Sequence, residues 1–331
     1  MTKVTIFGAG ITGMAIATQL PRDCDVTIVA RDLPGDSPSQ DWASPWACAG
    51  WVALGGSPLE EKMQLDALAY LTRLAVSHPD SGVVLSHLTD LHDNGTERAE
   101  DLWSFGRLPG LTAIPEPASL GTKLAVRYPS VVVNPSVFLP WLHARLEQTG
   151  VRFERIGTVT ALAELDRFGH DVLVNASGLA SLTLADVRDE HVVVDRTYTV
   201  LVKSEYKESF VRRGGGQYTY IFGRGDGTAV VGGISLPVDH PVLASDEIRK
   251  DLIQRAHDNL SDDFPSADPK DYEILEDLAG LRPLRLPNVR IEKDLVRGNI
   301  VHAYGTTIGG YMSSFGLGRE VARMVGEFAF E

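Results

Sequence analysis

The most informative segment of the chain is Val4-Thr5-Ile6-Phe7-Gly8-Ala9-Gly10-Ile11-Thr12-Gly13, close to its first residue. Its apolar first half predicts a buried strand, and the helix-forming residues that follow Gly13 predict a helix. In a G-x-G-x-x-G turn the first glycine permits the tight turn, the second lets the backbone approach phosphates, and the third lets helix and strand pack closely. The helix N-terminus also presents free N–H groups to negative charge. The stretch therefore predicts a dinucleotide site.

A second predicted strand, Val26-Thr27-Ile28-Val29, ends just before Arg31 and Asp32. A Rossmann unit keeps its ribose-binding acid at this place. We therefore expect Arg31 and Asp32 to meet the adenosine ribose or a phosphate. Because Arg31 could instead hold a 2′-phosphate, an NADP-dependent dehydrogenase is one alternative interpretation.

Length and charge limit the remaining classes of protein. The chain has 331 residues, which suggests about two domains. It carries 44 acidic and 31 basic residues, a net charge of −13, so a nucleic-acid partner is not expected. Two cysteines, Cys24 and Cys48, without C-x-x-C spacing predict free thiols in a reducing compartment. The nine histidines show no metal-ligand spacing, so no metal is expected.

Targeting signals are not predicted. The apolar stretch from Val4 to Leu20 contains three glycines and three threonines and no small-residue cleavage site, which argues against a signal peptide. Elsewhere no run of about 18 apolar residues predicts a membrane span. The last residues, Phe328-Ala329-Phe330-Glu331, are not a Ser-Lys-Leu peroxisomal address. We expect an intracellular, soluble protein.

Alternating segments predict the domain organisation. We expect helices over Leu59–Val76, from Asn134 to Gly150, over Ser245–Leu260 and over Ser313–Phe328, strands within 190–240 and at Ile300–Gly305, and no clear period over 80–130. Segments 1–55, 131–185 and 275–331 are predicted to form the nucleotide-binding domain. Segments 56–130 and 186–274 are predicted to form a second, β-rich domain. Three separate chain segments are thus predicted to contribute to the nucleotide site. A nicotinamide-binding domain does not need the two later segments, which argues against the NADP interpretation.

Further motifs occur in a characteristic order along nearly the whole chain. They are Ala30-Arg31-Asp32-Leu33-Pro34, Ala43-Ser44-Pro45-Trp46-Ala47, Val174-Asn175-Ala176-Ser177-Gly178-Leu179, Thr199-Val200-Leu201-Val202-Lys203-Ser204, Gly280-Leu281-Arg282-Pro283, His302-Ala303-Tyr304-Gly305 and Gly310-Tyr311. Together with the first glycine turn they resemble the D-amino-acid oxidase and D-aspartate oxidase family, in which yeast and fungal D-amino-acid oxidases are most similar.

The resemblance implies an α/β flavoprotein, with a Rossmann-like FAD-binding domain built from discontinuous segments and a β-rich substrate-binding domain. It implies FAD as cofactor, a D-amino acid as substrate and O2 as electron acceptor. A hydride would pass from the substrate α-carbon to flavin N5, giving hydrogen peroxide, a 2-oxo acid and ammonia. D-aspartate oxidases share this framework, so an acidic substrate is an alternative. The family also suggests a peroxisomal location, whereas the chain's last residues allow a cytoplasmic location. A homodimer is possible by the same resemblance.

The resemblance implies two catalytic residues, Arg282 and Tyr220. Arg282 would grip the substrate carboxylate with parallel N–H donors, and charge-assisted bonds of this kind contribute roughly 1.5–3 kcal/mol each. The Tyr220 hydroxyl would meet the same carboxylate, and strand alternation places Tyr218 on the same face. No acid–base side chain is required, because a neutral amine can lose its hydride directly to the flavin.

Other substrate-binding residues implied are Ser235, Arg213, Thr307 and Met312. Two of them depart from the family pattern. Ser235 stands where many members have a second tyrosine, and Met312 stands where yeast-type members have a glutamine. A thioether cannot donate a hydrogen bond, so a flavin-binding protein without turnover is a further alternative. Arg212 and Arg213 lie near the place where D-aspartate oxidases carry a basic residue, or they face water.

The cofactor-binding residues expected from the first glycine turn are Gly8, Ala9, Gly10, Ile11, Thr12 and Gly13, with Arg31 and Asp32 after the second strand. Those implied further along the chain are Ser44, Ala47, Gly50, Trp51, Val159, Ser177, Gly178, Arg282, Gly309, Gly310, Tyr311 and Met312.

Overall fold

The computed structural model describes residues 1–115, 120–214, 218–306 and 309–328. The helices are α1 (Ile11–Gln19), α2 (Pro58–Ser77), α3 (Pro135–Gln148), α4 (Ser245–Asn259) and α5 (Gly310–Phe328). The strands are β1 (Lys3–Phe7), β2 (Asp25–Ala30), β3 (Val83–His92), β4 (Thr112–Ala113), β5 (Leu124–Val133), β6 (Arg152–Arg155), β7 (Val172–Asn175), β8 (Val192–Lys203), β9 (Ser209–Arg213), β10 (Thr219–Gly223), β11 (Thr228–Pro237), β12 (Ile274–Arg285), β13 (Arg290–Lys293) and β14 (Ile300–Tyr304).

Over the described residues, the first sheet has the strand order β13-β14-β7-β1-β2-β6 and is parallel except for β13. β1 lies at its centre, where Ile6 is opposite Ile28 on one side and Val174 on the other. Such strands are buried on both faces, which is why they read as continuous apolar runs. α1 packs against α5, and α5 packs against α2. The predicted strand, glycine turn and helix at the start of the chain are confirmed.

The second sheet has the order β12-β8-β11-β10-β9-β3-β5-β4 and is antiparallel except where β9 meets β3. One face of β8, β10 and β11 is covered by α4. The buried side chains of α4 that complete this core are Ile248, Leu252, Ile253 and Ala256. A larger apolar core joins the two sheets through α2, α3 and α5. The predicted α/β fold class is confirmed.

β3 and most of β5 lie within 80–130, where no strand was predicted because no period is evident, and they pair over ten residues. They carry buried polar residues, among them Asp90 and Ser130, which obscure the apolar pattern. Ser130 Oγ donates to the carbonyl oxygen of Trp51 at 2.6 Å, so burial leaves it satisfied.

The predicted segment 275–331 contributes to both sheets. β12 pairs with β8 over its length in the second sheet, whereas β13, β14 and α5 belong to the first. α5 begins at Gly310, three residues before the predicted start. The first turn was not predicted because Ser313 and Ser314 interrupt the apolar pattern. Their hydroxyls donate to the carbonyl oxygens of Gly309 and Gly310. No helix in the described part of the chain is long and apolar enough to cross a membrane.

A buried polar network joins β7 to β14 behind the carboxyl ends of the first sheet. Asn175 Nδ2 lies 3.1 Å from His302 Nδ1, and His302 Nε2 lies 3.0 Å from Asp294 Oδ2. Burial lowers the pKa of His302, and Asp294 offsets this only in part. Burial alone would raise the pKa of Asp294, but hydrogen bonds from the backbone of Arg297, from His302 and from the backbone of Val296 lower it to about 2.

This network predicts that acid destabilises the fold. Because the pKa of folded His302 lies below the unfolded value of about 6.5, its contribution to stability is complete above the unfolded pKa and is lost as the pH falls from there through the folded pKa. His302→Gln, which keeps a donor for Asp294, is expected to reduce the decline in the free energy of unfolding between pH 7 and pH 5. Urea unfolding at several pH values measures this decline. His240→Gln, at an exposed position, serves as the control. Equal declines in His302→Gln and the wild type would contradict the assignment.

Candidate active site

A cavity of about 700 Å³ extends from the carboxyl ends of β1 and β2 to β8, β10 and β12. Parallel sheets bind ligands outside the carboxyl ends of their strands, so the position of this cavity follows from the topology. The predicted site residues that line it are Gly8, Ala9, Gly10, Ile11, Thr12, Arg31, Asp32, Ser44, Ala47, Gly50, Val159, Ser177, Gly178, Tyr220, Arg282, Gly309, Gly310, Tyr311 and Met312. The predicted cofactor-binding residues and the predicted substrate-binding residues Tyr220 and Arg282 therefore line the same cavity.

The first glycine turn forms the floor of the cavity at its β1 end. Gly8 has φ +119°, and a Cβ there would lie 2.4 Å from the carbonyl oxygen of Ala176. Gly13 does not line the cavity, because it packs under the turn. A Cβ on Gly13 would lie 1.9 Å from the carbonyl oxygen of Gly8. The loop before α2 closes on the turn, since the backbone N–H of Ile11 donates to Ser44 Oγ at 2.9 Å.

At the end of β2 the charges of Arg31 and Asp32 are paired. Arg31 Nη2 lies 2.7 Å from Asp32 Oδ2, and Arg31 Nη1 lies 3.4 Å from Asp41 Oδ2. Ser39 Oγ also donates to Asp32 Oδ2 at 3.2 Å. Two carboxylates therefore surround Arg31, which is a poor setting for a 2′-phosphate. This geometry argues against the NADP interpretation.

Trp51 does not face the cavity, contrary to its predicted cofactor role. Its side chain is 1% exposed and its Nε1 donates to the carbonyl oxygen of Gln64 at 3.1 Å. The indole therefore packs in the core beneath the loop, where its single donor is satisfied. Gly50 lines the cavity as expected, and a Cβ there would lie 2.3 Å from the ring of Phe222.

The other end of the cavity lies on the second sheet and contains Arg282, Tyr220 and Tyr218. A Cβ on Gly232 would lie 2.2 Å from the Tyr220 ring, so the glycine pair of β11 makes room for the two tyrosines. Burial raises the pKa of Tyr218 to about 12 and that of Tyr220 well above its usual value. Both phenols are therefore protonated at neutral pH and can donate hydrogen bonds.

Ser235 does not line the cavity but bonds to Arg282. Its Oγ accepts from Arg282 Nη2 at 3.0 Å and donates to Asp195 Oδ2 at 2.9 Å. Met312 lines the cavity, and its sulfur accepts from the backbone N–H of Val52 at 3.4 Å. Thr307 lies outside the described residues. Sequence reasoning missed Asp195, which faces Arg282 only because β8 and β12 pair in this register.

Arg213 is not placed in the cavity either. It bonds to Asp90, whose side chain is fully buried, and its Nη1 donates to the carbonyl oxygen of Ala53 at 3.2 Å. Burial alone would raise the pKa of Asp90, but the charge of Arg213 and a bond with His92 lower it. Arg212 is likewise paired, with its Nε 3.0 Å from both carboxylate oxygens of Asp93. The two arginines therefore carry charges that internal carboxylates already neutralise.

We predict that Arg213→Leu destabilises the fold rather than changing specificity. The variant leaves Asp90 buried without its counter-charge, which is expected to lower the free energy of unfolding by about 3–5 kcal/mol. The double variant Arg213→Leu with Asp90→Leu should recover part of this loss, because no unpaired charge remains. Urea unfolding provides both values. A single variant with wild-type stability and a selective loss of D-aspartate turnover would contradict this assignment.

Three buried polar atoms on the cavity wall have no hydrogen-bond partner among the described residues. They are Trp42 Nε1, Thr199 Oγ1 and Arg282 Nε. Buried polar groups are satisfied in folded proteins, so these atoms point to a polar ligand. They are distributed from the first glycine turn to β12, as an extended dinucleotide with a substrate beside it requires. No metal-ligating cluster occurs in the ranges that the structure describes.

The glycine turn, the paired acid after β2 and the elongated cavity define a dinucleotide-binding α/β protein. A family model described as FAD dependent oxidoreductase, DAO, matches residues 3–324. The chain therefore belongs to this family, and its cofactor is FAD.

Individual relatives agree with this assignment. The chain is 26% identical to a D-amino-acid oxidase from Schizosaccharomyces pombe, with 95% of this chain and 93% of the relative covered. It is 25% identical to a D-aspartate oxidase from Talaromyces thermophilus, with 98% and 95% covered. The structure of glycine oxidase from Geobacillus kaustophilus superimposes with a TM-score of 0.76 at 19% identity, covering 99% of this chain and 95% of that one. The structural likeness supports the shared fold.

Proposed function

We propose that this protein oxidises D-amino acids without a second carboxylate to the corresponding 2-oxo acids. The observation that carries the proposal is the position of Arg282, which lines the cavity together with Tyr218 and Tyr220 and whose buried Nε has no hydrogen-bond partner in the described part of the chain. A guanidinium and two neutral phenols together supply the donors that a carboxylate needs. The names of the curated relatives support an amino acid as the ligand.

The chain's own residues bind and orient both molecules. The turn of Gly8, Ala9 and Gly10 and the start of α1 would hold the pyrophosphate of FAD, and Asp32 would hold the ribose. The chemistry that bound FAD would supply is acceptance of the hydride from the substrate α-carbon, with O2 as the final electron acceptor. Arg282 would hold the substrate carboxylate, and Tyr220 would donate a further bond to it. Fixing the carboxylate restricts which stereoisomer can direct its α-hydrogen toward the cofactor.

The distribution of charge supports a neutral side chain on the substrate. Among the described lining residues, the only basic ones are Arg31 and Arg282, and Arg31 lies at the β2 end. Arg212 and Arg213, the candidates for reading a second carboxylate, are bonded to Asp93 and Asp90. A D-aspartate oxidase would therefore lack a free cation for the substrate side chain. Ser235, which departs from the family pattern, bonds to Arg282 and so remains connected to the proposed site.

Oxygen consumption and 2-oxo acid formation by the purified holoprotein test this proposal. We expect kcat/KM for D-norvaline to exceed that for D-aspartate by about tenfold or more, since an unpaired charge is costly in a largely apolar cavity. Preference for D-aspartate would favour the acidic alternative instead. A yellow protein that turns over no amino acid would favour flavin binding without turnover, and either result would reject the proposal.

A further inference from the structure

Arg282 is held on one side by a carboxylate and a hydroxyl of this chain. Its Nη2 donates to Asp195 Oδ2 at 3.1 Å and to Ser235 Oγ at 3.0 Å. Ser235 Oγ donates to the same Asp195 oxygen at 2.9 Å, which closes a three-membered cluster. Nη2 is thereby committed to the protein, whereas the buried Nε has no partner among the residues described.

The three members of this cluster stand on three neighbouring strands. Asp195 on β8 is directly opposite Arg282 on β12, and Ser235 on β11 is opposite Thr197 of β8. Side chains opposite each other in an antiparallel pair interact directly. A shift in register between Gly232 and Ile234 precedes Ser235. Because all three strands lie within one sheet, the cluster fixes the guanidinium more firmly than a loop residue would.

We propose that Asp195, together with Ser235, is a positioning residue that aims Arg282 at the substrate carboxylate. The inference rests on the proposed function and extends it to a residue that does not touch the cavity. It also assigns a purpose to Ser235. The short side chain of Ser235 leaves room for Asp195 to reach Arg282. Asp195 and Ser235 then orient Arg282 together, in place of a larger residue at position 235.

Neutral variants of Asp195 separate positioning from charge. Asp195→Asn keeps an oxygen that accepts from Arg282 and Ser235, whereas Asp195→Leu keeps the branched shape of the side chain but no acceptor. Both remove one negative charge. Any difference between them in carboxylate binding therefore reports the orientation of Arg282 rather than the local charge.

Binding of benzoate to the FAD-loaded protein, followed through the flavin visible spectrum, provides the test. An aromatic carboxylate suits a cavity end lined by Tyr218 and Tyr220, and benzamide is its uncharged match. We expect Asp195→Leu to bind benzoate at least about three-fold more weakly than Asp195→Asn, with no difference for benzamide, since bonds to charged groups are the stronger ones. Asp195→Asn should bind benzoate at least as tightly as the wild type. Benzoate affinities that differ by less than about three-fold between Asn and Leu would overturn the proposal.

Two further variants keep the test decisive. Should Asp195→Leu not fold, Ser235→Ala must weaken benzoate binding relative to the wild type without affecting benzamide, and an unchanged benzoate affinity would overturn the proposal. Asp239→Asn removes the same charge at an exposed position nearby and is expected to leave benzoate binding unchanged. If the wild type binds benzoate but oxidises no D-amino acid, the proposed function fails while the positioning inference can still be measured.

Discussion

Arg282→Leu is expected to lower kcat/KM for D-amino acids by about 10–10²-fold while FAD stays bound. The charge-assisted bond from Arg282 Nε to the substrate carboxylate would be lost, which contributes about 1.5–3 kcal/mol, and about 1.4 kcal/mol corresponds to a tenfold change. FAD retention is expected because Arg282 lies at the opposite end of the cavity from the glycine turn. Steady-state kinetics and the flavin-to-protein absorbance ratio measure the two quantities.

Arg282→Lys sharpens this prediction. It keeps the positive charge, but its single nitrogen cannot replace both Nη2, which bonds to Asp195 and Ser235, and the separate donor at Nε, so it should recover only part of the lost activity. Arg98→Leu removes an exposed arginine whose side chain is 71% accessible, and it controls for the change in net charge. Near-normal turnover in Arg282→Leu would remove this residue from the active site.

Gly13→Ala is expected to abolish stable FAD binding. The new Cβ would lie 1.9 Å from the carbonyl oxygen of Gly8, and this neighbour is backbone, which cannot rotate away. The turn that approaches the phosphates must therefore shift, and overpacking of this kind typically costs about 1–3 kcal/mol or more. We expect the purified variant to be colourless and to unfold at lower temperature than the wild type.

Gly298→Ala is the matched control for that substitution. A Cβ on Gly298 has no atom within 4 Å, and this residue lies far from the glycine turn in sequence. Its FAD content and melting temperature should equal those of the wild type. A yellow Gly13→Ala protein with wild-type affinity for FAD would show that the close packing of α1 on the turn is not required.

Local signals in the sequence were sufficient for the nucleotide end of the site. This end consists of the strand, the glycine turn and the acid after β2, which all lie within about thirty positions of one another. Such patterns can be predicted from the sequence because they depend on short-range backbone requirements. The burial of Trp51 could not be predicted from the sequence, because it depends on contacts with Gln64 of α2 and Ser130 of β5. The indole's environment is set by the meeting of these elements.

The substrate end depends on long-range pairing and was predicted less completely. Arg213 and Asp90 are 123 positions apart, and the parallel contact of β9 with β3 brings them together. Arg282 and Asp195 are 87 positions apart and meet through the register of β12 and β8. The sequence gives the charge of a residue but does not show which distant residue will neutralise it. Arg213 therefore suggested a free cation, although its charge is neutralised.

Anaerobic mixing of the wild-type holoprotein with the two enantiomers of alanine tests whether one cavity holds FAD and an amino acid whose carboxylate is fixed by Arg282. D-Alanine is predicted to bleach the visible absorption of the bound flavin, whereas L-alanine at the same concentration leaves it unchanged. Bleaching by both enantiomers, or by neither D-alanine nor D-norvaline, would contradict the account.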